Sequence, residues 1–432
     1  MLSAKATGGL KAVVTILTFT STLTVFSTQG WAARHKILHS LSNEQGRQPQ
    51  GVMFGADGNL YGATAFGGGP GNSGIGTVFE LVPTAGGDWV EAKMHIFHGG
   101  AGEYPNQGML FDSSGNLYGT TQLGPNGTGL VYEVFSGADG TWHETVLHDF
   151  FNGQGLYPES PLVRDAAGNL YSTAWGGGAY GLGTVFELSP TAGGGWTETT
   201  IHSFDGTDGA VDKSGLVFDG NGNLYGTTVC GGTSAEATVK ESAWKAPGID
   251  PDCGNASGAG TVWELAPQSD GSWTETTLYN FAGGSDGANP VEPGGLIFDS
   301  AGNLYGTTLN GGLYGEGTVF ELSPTPGGGW TETVLHSFYS THGSYPYASL
   351  VLDTAGNLYG EAQSGGEGNQ GVVFKLAPIA GAGWKYSLLH SFSGPDGSAP
   401  RYGLTFDDAG NLYGTTDYGG AYNNGTVFEI TP

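Results

Sequence analysis

Hydrophobic and polar residues alternate along this chain in short bursts, and the bursts recur. Between 295 and 338 they read "GLIFD", "NLYGTT", "GTVFELSP" and "WTETVLHSF". Each is of strand length, rich in β-branched and aromatic residues, and bounded by Gly, Pro, Asp or Asn. We designate them strands a, b, c and d. No stretch carries the spacing of an amphipathic helix over three turns, so the pattern predicts an all-β chain.

The a–b turn, Asp-x-x-Gly-Asn in most copies, precedes Leu-Tyr seven times, at Asn59, Asn116, Asn169, Asn223, Asn303, Asn357 and Asn411. Asp accepts hydrogen bonds from turn amides, and Gly tolerates positive φ. The period is about 54 residues, a length that points to propellers or solenoids. It is broken once, after Asn223, where residues 231–256 form an insertion in the fourth b–c loop. The d–a connections carry Gly-x-x-Pro, from Gly46 and Pro49 to Gly397 and Pro400; in the fourth copy Asp212 replaces the proline.

The two ends of the repeat are offset. "ARHKILHSL" near the N-terminus aligns with strand d, and the C-terminal "GTVFEITP" is strand c. A ring of seven four-stranded antiparallel sheets lets these segments pair and removes an exposed edge. The expectation is a seven-bladed β-propeller closed by N-terminal strand d on C-terminal strand c. Trp89, Trp142, Trp196, Trp273, Trp330 and Trp384 open the d strands, and a tyrosine follows each "NL". Residues repeated at equivalent positions are expected to pack blade against blade rather than to bind ligand.

Composition adds compartment and charge. Residues 1–32 combine Lys5 and Lys11 with the apolar run "AVVTILTFTSTLTVF" and the small-residue end Gly30-Trp31-Ala32. That is the layout of a cleaved export signal, and the run is short for a membrane span. The expected organisation is a signal peptide over 1–32 and one propeller domain over 33–432, secreted to the periplasm or beyond, with no membrane insertion after cleavage. The formal charge of −27 opposes nucleic acid. Cys230 and Cys253, the only two cysteines, bracket the insertion. A disulfide there suits an oxidising compartment and would contribute roughly 3 kcal/mol by the chain-entropy estimate.

The composite motif L-x-F-D-x-x-G-N-L-Y-G-T-T, then G-T-V-F-E-L-x-P and W-T-E-T-x-L-H-S-F, resembles the GloVer repeat of gloeobacterial and verrucomicrobial proteins. The resemblance implies an exported bacterial propeller-like array with no established activity. Many such proteins carry a C-terminal sorting anchor; here strand c ends at Pro432, so release is expected. More distantly, G-L-x-x-D-x-x-G-N-L-Y is similar to the inner hairpin of NHL-repeat, streptogramin-lyase and gluconolactonase-type propellers, a likeness of scaffold.

Chemistry requires departures from the repeat. The histidines ending strand d (His39, His95, His148, His202, His336 and His390) recur with Tyr279 in the remaining copy; on an outer strand this suits structure better than a shared metal. The Asp-x-x-Gly-Asn turns offer too few oxygens for calcium. No His-Glu-x-x-His or phosphate loop occurs. Variation concentrates just after Gly-x-x-Pro, where the d–a loops approach the channel mouth. Asn106, Gln107, Tyr347 and Tyr402 lie there, with Phe66, Trp175, Tyr180, Tyr314, Tyr418 and Tyr422 on the b–c loops of the same face. These are the candidate binding residues for a glycan or protein ligand. The leading expectation is a monomeric, non-enzymatic binding propeller without cofactor. The alternative is a lyase or hydrolase using Glu159, Glu292, Lys213 and Arg401, with a divalent metal possible.

Overall fold

A computed structural model describes residues 33–432 apart from 70–73, 100, 101, 107, 152, 234–252, 254–257 and 291–294. The expected signal segment, Gln107, Glu292 and most of the insertion lie outside the described residues. Residues 33–432 form one compact unit, a seven-bladed β-propeller of four-stranded antiparallel sheets.

Blade 5 shows the pattern, with strands a (Ile297–Phe298), b (Leu304–Thr308), c (Thr318–Pro324) and d (Trp330–Ser337) in that order across the sheet. The c strands of blades 1 to 7 are Thr77–Pro83, Leu130–Ser136, Thr184–Pro190, Thr261–Pro267, Thr318–Pro324, Val372–Ile379 and Thr426–Thr431. Blade 7 takes its d strand from the other end of the chain. Arg34–Ser40 pairs antiparallel with Thr426–Thr431, from Arg34 opposite Thr431 to Ser40 opposite Thr426.

Within blades, the turn carboxylate organises the inner hairpin. Asp112 Oδ1 accepts the Ser114 and Asn116 amides at 2.8 and 2.9 Å, and Oδ2 accepts Asn116 Nδ2 at 3.0 Å. The Tyr118 hydroxyl lies 3.3 Å from Asp112 Oδ2 and 3.0 Å from Glu133 Oε1 on strand c, its single proton shared between them. Burial disfavours the Asp112 carboxylate, yet these amide donors outweigh it and hold its pKa below the usual range. The oxygens that resemble a calcium loop in sequence are therefore already taken by the turn's own N–H groups.

Between blades, the repeated rings interlock. The Tyr171 ring of blade 3 meets Phe218 edge-on at 5.4 Å and Trp273 at 5.9 Å, both from blade 4; Tyr413 of blade 7 meets Phe54 and Trp89 of blade 1 at 5.0 and 6.4 Å. The tryptophans are only half-buried. Fully enclosed are the strand-c rings Phe79, Phe186, Phe320 and Phe374 and the phenylalanines that follow strand d, such as Phe97, Phe204 and Phe338, each stabilising by roughly 1.5–3 kcal/mol. The strand-d histidines serve the rim: His39 and His95 reach Glu91 and Glu144 of the next blade at 2.8 and 3.0 Å, and His202 meets Asp208 at 2.9 Å.

The Gly-x-x-Pro signature proves to be an inter-blade fastening. The residue before the proline, or before Asp212, is left-handed at every junction: Gln48, Tyr104, Tyr157, Val211, Asn289, Tyr345 and Ala399 have φ between 54° and 59°. For non-glycine residues this costs roughly 1–2 kcal/mol each. In return each N–H donates to a b–c loop carbonyl of the preceding blade, Gln48 to Asn424 at 3.0 Å and Asn289 to Ala259 at 2.7 Å, with the other five between 2.8 and 2.9 Å. The proline ring then lies against the glycine that opens the preceding strand c. A Cβ at Gly425 would stand 2.5 Å from Pro49 Cδ. At the one junction without proline, a Cβ at Gly183 would stand 3.5 Å from the Asp212 nitrogen.

Both glycines have φ near 100° (102° and 109°), so positive-φ strain is common to their alanine variants, whereas the close approach to Pro49 and to the Thr416 carbonyl oxygen is found only at Gly425. Gly425→Ala is expected to lower stability by about 3 kcal/mol or more, and Gly183→Ala by about 1–2 kcal/mol. Urea unfolding of the two variants, followed by tryptophan fluorescence, checks the difference; equal losses would remove the proline contact from the account.

Candidate functional site

The d–a and b–c loops share one face. The residues that follow Gly-x-x-Pro stand at the mouth of the axis, but they are engaged with one another. On the side of blades 3 and 4, Lys213 Nζ lies 3.4 Å from Glu159 Oε2, and Gln122 Nε2 donates to Glu159 Oε1 at 2.7 Å. The Lys213 ammonium also sits 4.8 Å from the Trp175 ring, which stacks on Tyr157 at 4.9 Å. On the side of blades 6 and 7, Arg401 Nε lies 3.1 Å from Asp417 Oδ2, and Nη2 donates to the Tyr402 hydroxyl at 2.9 Å. The guanidinium faces the rings of Tyr347 and Tyr402 at 5.4 and 5.1 Å. Gln50 of blade 1 donates to the same Tyr402 hydroxyl at 2.8 Å.

Tyr347 extends from blade 6 to the blade-4 cluster of Ala210, Val211, Val229 and Cys230, which Trp175 and Cys253 also touch. Cys230 and Cys253 are disulfide-bonded. The charged side chains at the mouth are thus paired, and Gln50, Asn106 and Tyr402 line a small cavity of about 110 Å³ beside them. Asn106 Nδ2 donates to the Pro158 carbonyl at 2.9 Å, joining blade 2 to blade 3. Tyr180, Tyr314 and Tyr422 are exposed on the b–c loops of blades 3, 5 and 7. They belong to three separate loops, and none lines the cleft described next.

That cleft, of about 370 Å³, lies on the same face where blade 7 meets blade 1. It is lined by Arg47, Gln48, Phe66, Asp417, Tyr418, Asn423 and Asn424. Gln48 Nε2 donates to the Tyr418 hydroxyl at 2.8 Å. The Arg47 guanidinium lies 5.5 Å from the Phe66 ring. Asp417 is 2% exposed; its Oδ2 meets Arg401, while its Oδ1 has no hydrogen-bond partner. An unpaired buried carboxylate oxygen is costly unless a donor arrives. Of the lining residues, Phe66 and Tyr418 are candidates from sequence. Asp417 and Arg47 were missed because they lie outside the positions just after the proline. Their signal was nonetheless present: Asp417 occupies the place of Ala65, Gln122, Trp175, Val229, Leu309 and Gln363.

Two further carboxyls break the repeat. Glu361 replaces the first threonine of "GTT" in blade 6 and has no exposed surface. Burial, reinforced by Asp417 and opposed by the Gly403 amide, raises its pKa to about 8. Gly403 N donates to Glu361 Oε2 at 3.0 Å, as Gly51 N donates to Thr415 Oγ1 at the next junction. Glu361 therefore performs the threonine's stitching role with a longer side chain. Asp212 is raised to about 7 by burial, against hydrogen bonds from Ser214 and Trp263; the Trp263 indole N–H reaches its Oδ2 at 3.1 Å.

Fold and face together define a closed seven-bladed repeat propeller with a cleft at its closing junction. The chain belongs to the Gloeobacter/Verrucomicrobia repeat family, whose profile matches residues 6–240 and 252–432. No curated protein matches it. Among solved structures it is similar to a luciferin-regenerating enzyme, at 14% identity and a TM-score of 0.45 over 76% of this chain and 91% of that one. It is also similar to a putative oxidoreductase (glucose dehydrogenase) from Thermus thermophilus, at 15% identity and a TM-score of 0.39 over 92% of this chain and all of that one. Similarity at this level says nothing of activity.

The Glu361 carboxyl gives a pH prediction. Its folded pKa is raised, so the folded state holds a proton that the unfolded chain releases above about 4.5. The stability it contributes is present in acid and lost as pH rises towards 8. Glu361→Gln is expected to unfold with the wild type near pH 5 and to be more stable by about 1–3 kcal/mol at pH 8. Parallel urea titrations at the two values check it.

Proposed function

We propose that the protein is an exported, non-enzymatic propeller that binds a saccharide in the cleft between blades 7 and 1. The cleft's size falls within the range of small-ligand sites. Phe66 and Tyr418 offer apolar ring faces of the kind that pack on sugars, and the groups around them are of both hydrogen-bonding senses. Arg47 donates, and the Asn423 and Asn424 amides both donate and accept. The observation that carries the reading is that two ring faces, Phe66 and Tyr418, share one cleft with these polar side chains. Export is supported by the N-terminal signal pattern and the Cys230–Cys253 disulfide, and a monomer is proposed because the ring closes upon itself.

A second reading, an enzyme at the axis, draws support from the raised carboxyls of Glu361 and Asp212. Against it, both are enclosed, Glu159 is neutralised by Lys213, and Arg401 is committed to Asp417. A general acid must touch its substrate, and neither enclosed carboxyl is placed to do so.

Chain recovered from the periplasm or medium is expected to begin at Ala33 by intact mass. Applied to an immobilised glycan panel, it should retain at least one saccharide. Tyr418→Ala and Arg47→Ala should each weaken that retention by about tenfold or more without changing the melting temperature of the ring. Retention of no saccharide, or retention indifferent to both variants, would refute the cleft. Cleavage of the retained saccharide would support the enzymatic reading instead.

A further inference from the structure

The rim of the propeller follows a rule that fails at the closing strand. Two residues into strand d, blades 1 to 5 carry Glu91, Glu144, Glu198, Glu275 and Glu332. This glutamate faces the histidine or tyrosine that ends strand d of the preceding blade, as in His39–Glu91 and His95–Glu144. Blade 6 has Tyr386, whose ring stacks on His336 at 4.5 Å. The closing strand has His35, set against His390 of blade 6.

The His35 and His390 rings lie face to face, 4.0 Å apart with an interplanar angle of 6°. His390 Nε2 and Asp396 Oδ2 are hydrogen-bonded at 2.9 Å. His35 Nε2 is enclosed and has no partner, and Phe392 closes its edge at 5.6 Å. One ligand atom from each of His35, His390 and Asp396 falls within 4.8 Å of the other two. Two imidazole nitrogens and one carboxylate oxygen within that span form a donor set that a zinc-class ion accepts with a water or a further ligand in the fourth position. Calcium and magnesium, which require mostly oxygen, are poorly served.

We propose that His35, His390 and Asp396 bind a divalent transition-metal ion, and that this ion fastens the N-terminal closing strand to blade 6. Two observations favour an ion over a purely structural pair. The position departs from the glutamate used at five other junctions, so the histidine is not demanded by the fold. The enclosed Nε2, which like that of His336 makes no hydrogen bond, lies with His390 and Asp396 in a three-ligand cluster that no other junction among the described residues offers. To admit the ion, one imidazole turns out of the stack so that both lone pairs converge. The strongly acidic chain raises the local concentration of cations, and the site converts that into strength where the N-terminal strand, held in blade 7 by pairing alone, meets blade 6.

The test uses untagged, chelator-treated protein without its first 32 residues, titrated with zinc and, separately, with calcium. Isothermal titration should show one zinc ion per chain, and zinc but not calcium should raise the melting temperature by a few degrees. His35→Tyr supplies the comparison, since it installs the His–Tyr stack found between blades 5 and 6. It should fold with a similar melting temperature without metal and bind zinc at least tenfold more weakly. Asp396→Asn should also weaken binding while keeping a hydrogen bond to His390. Zinc uptake unchanged by His35→Tyr, equal stabilisation by calcium, or no zinc binding by the wild type would each overturn the site.

Discussion

The structure depends on a short hydrogen bond made by a backbone in an unfavourable shape. At each junction, one left-handed non-glycine residue turns its N–H onto the b–c loop of the preceding blade. Seven such residues carry strain of roughly 10 kcal/mol in total, which only a surrounding structure that leaves no alternative can hold. The proline that follows restricts the chain further and lies on the glycine opening the neighbouring strand c. Registry between blades is thus set at the loop face by backbone and ring contacts, while the Phe and Tyr clusters beneath supply the bulk of the burial.

This arrangement decides where function can sit. Inner-strand threonines and tyrosines are repeated, and most of their polar atoms stitch blades or hairpins together, as Thr415 and Tyr118 do. The mouth residues vary, yet Glu159 with Lys213 and Arg401 with Asp417 cancel one another. Buried polar atoms without a hydrogen bond occur around the ring, among them Trp175 Nε1, Asn310 Oδ1 and His336 Nε2; at the ends of the chain they include the second Asp417 oxygen and the Arg47 Nε on the face and the His35 Nε2 at the rim.

Much of the fold was legible in the sequence. The period, the four bursts per period, and the offset between "ARHKILHSL" and "GTVFEITP" specify a closed ring because strand pairing is periodic and local. The left-handed residues were not legible. Gln, Tyr, Val, Asn and Ala share no propensity for that conformation, and it is imposed by the neighbouring blade. The site was legible only in part. Arg401, Tyr347, Lys213 and Glu159 do stand at the mouth, as their place after Gly-x-x-Pro implied. Whether they are free or paired depends on partners one period or one hairpin away, and alternation along a strand carries no record of that. Asp417, Glu361 and His35 were visible as breaks in the repeat, but a break acquires chemical meaning only once its neighbours in space are known.

Closure by the two chain ends is the claim on which the cleft and the rim site both rest. Hydrogen–deuterium exchange read at peptides spanning 33–41 and 425–432 tests it most directly. The account predicts that both peptides are protected in the intact chain, and that deleting 426–432 exposes 33–41 to rapid exchange while blades 3 and 4 keep their protection. Rapid exchange of 33–41 in the intact chain, or protection that survives the deletion, would contradict it.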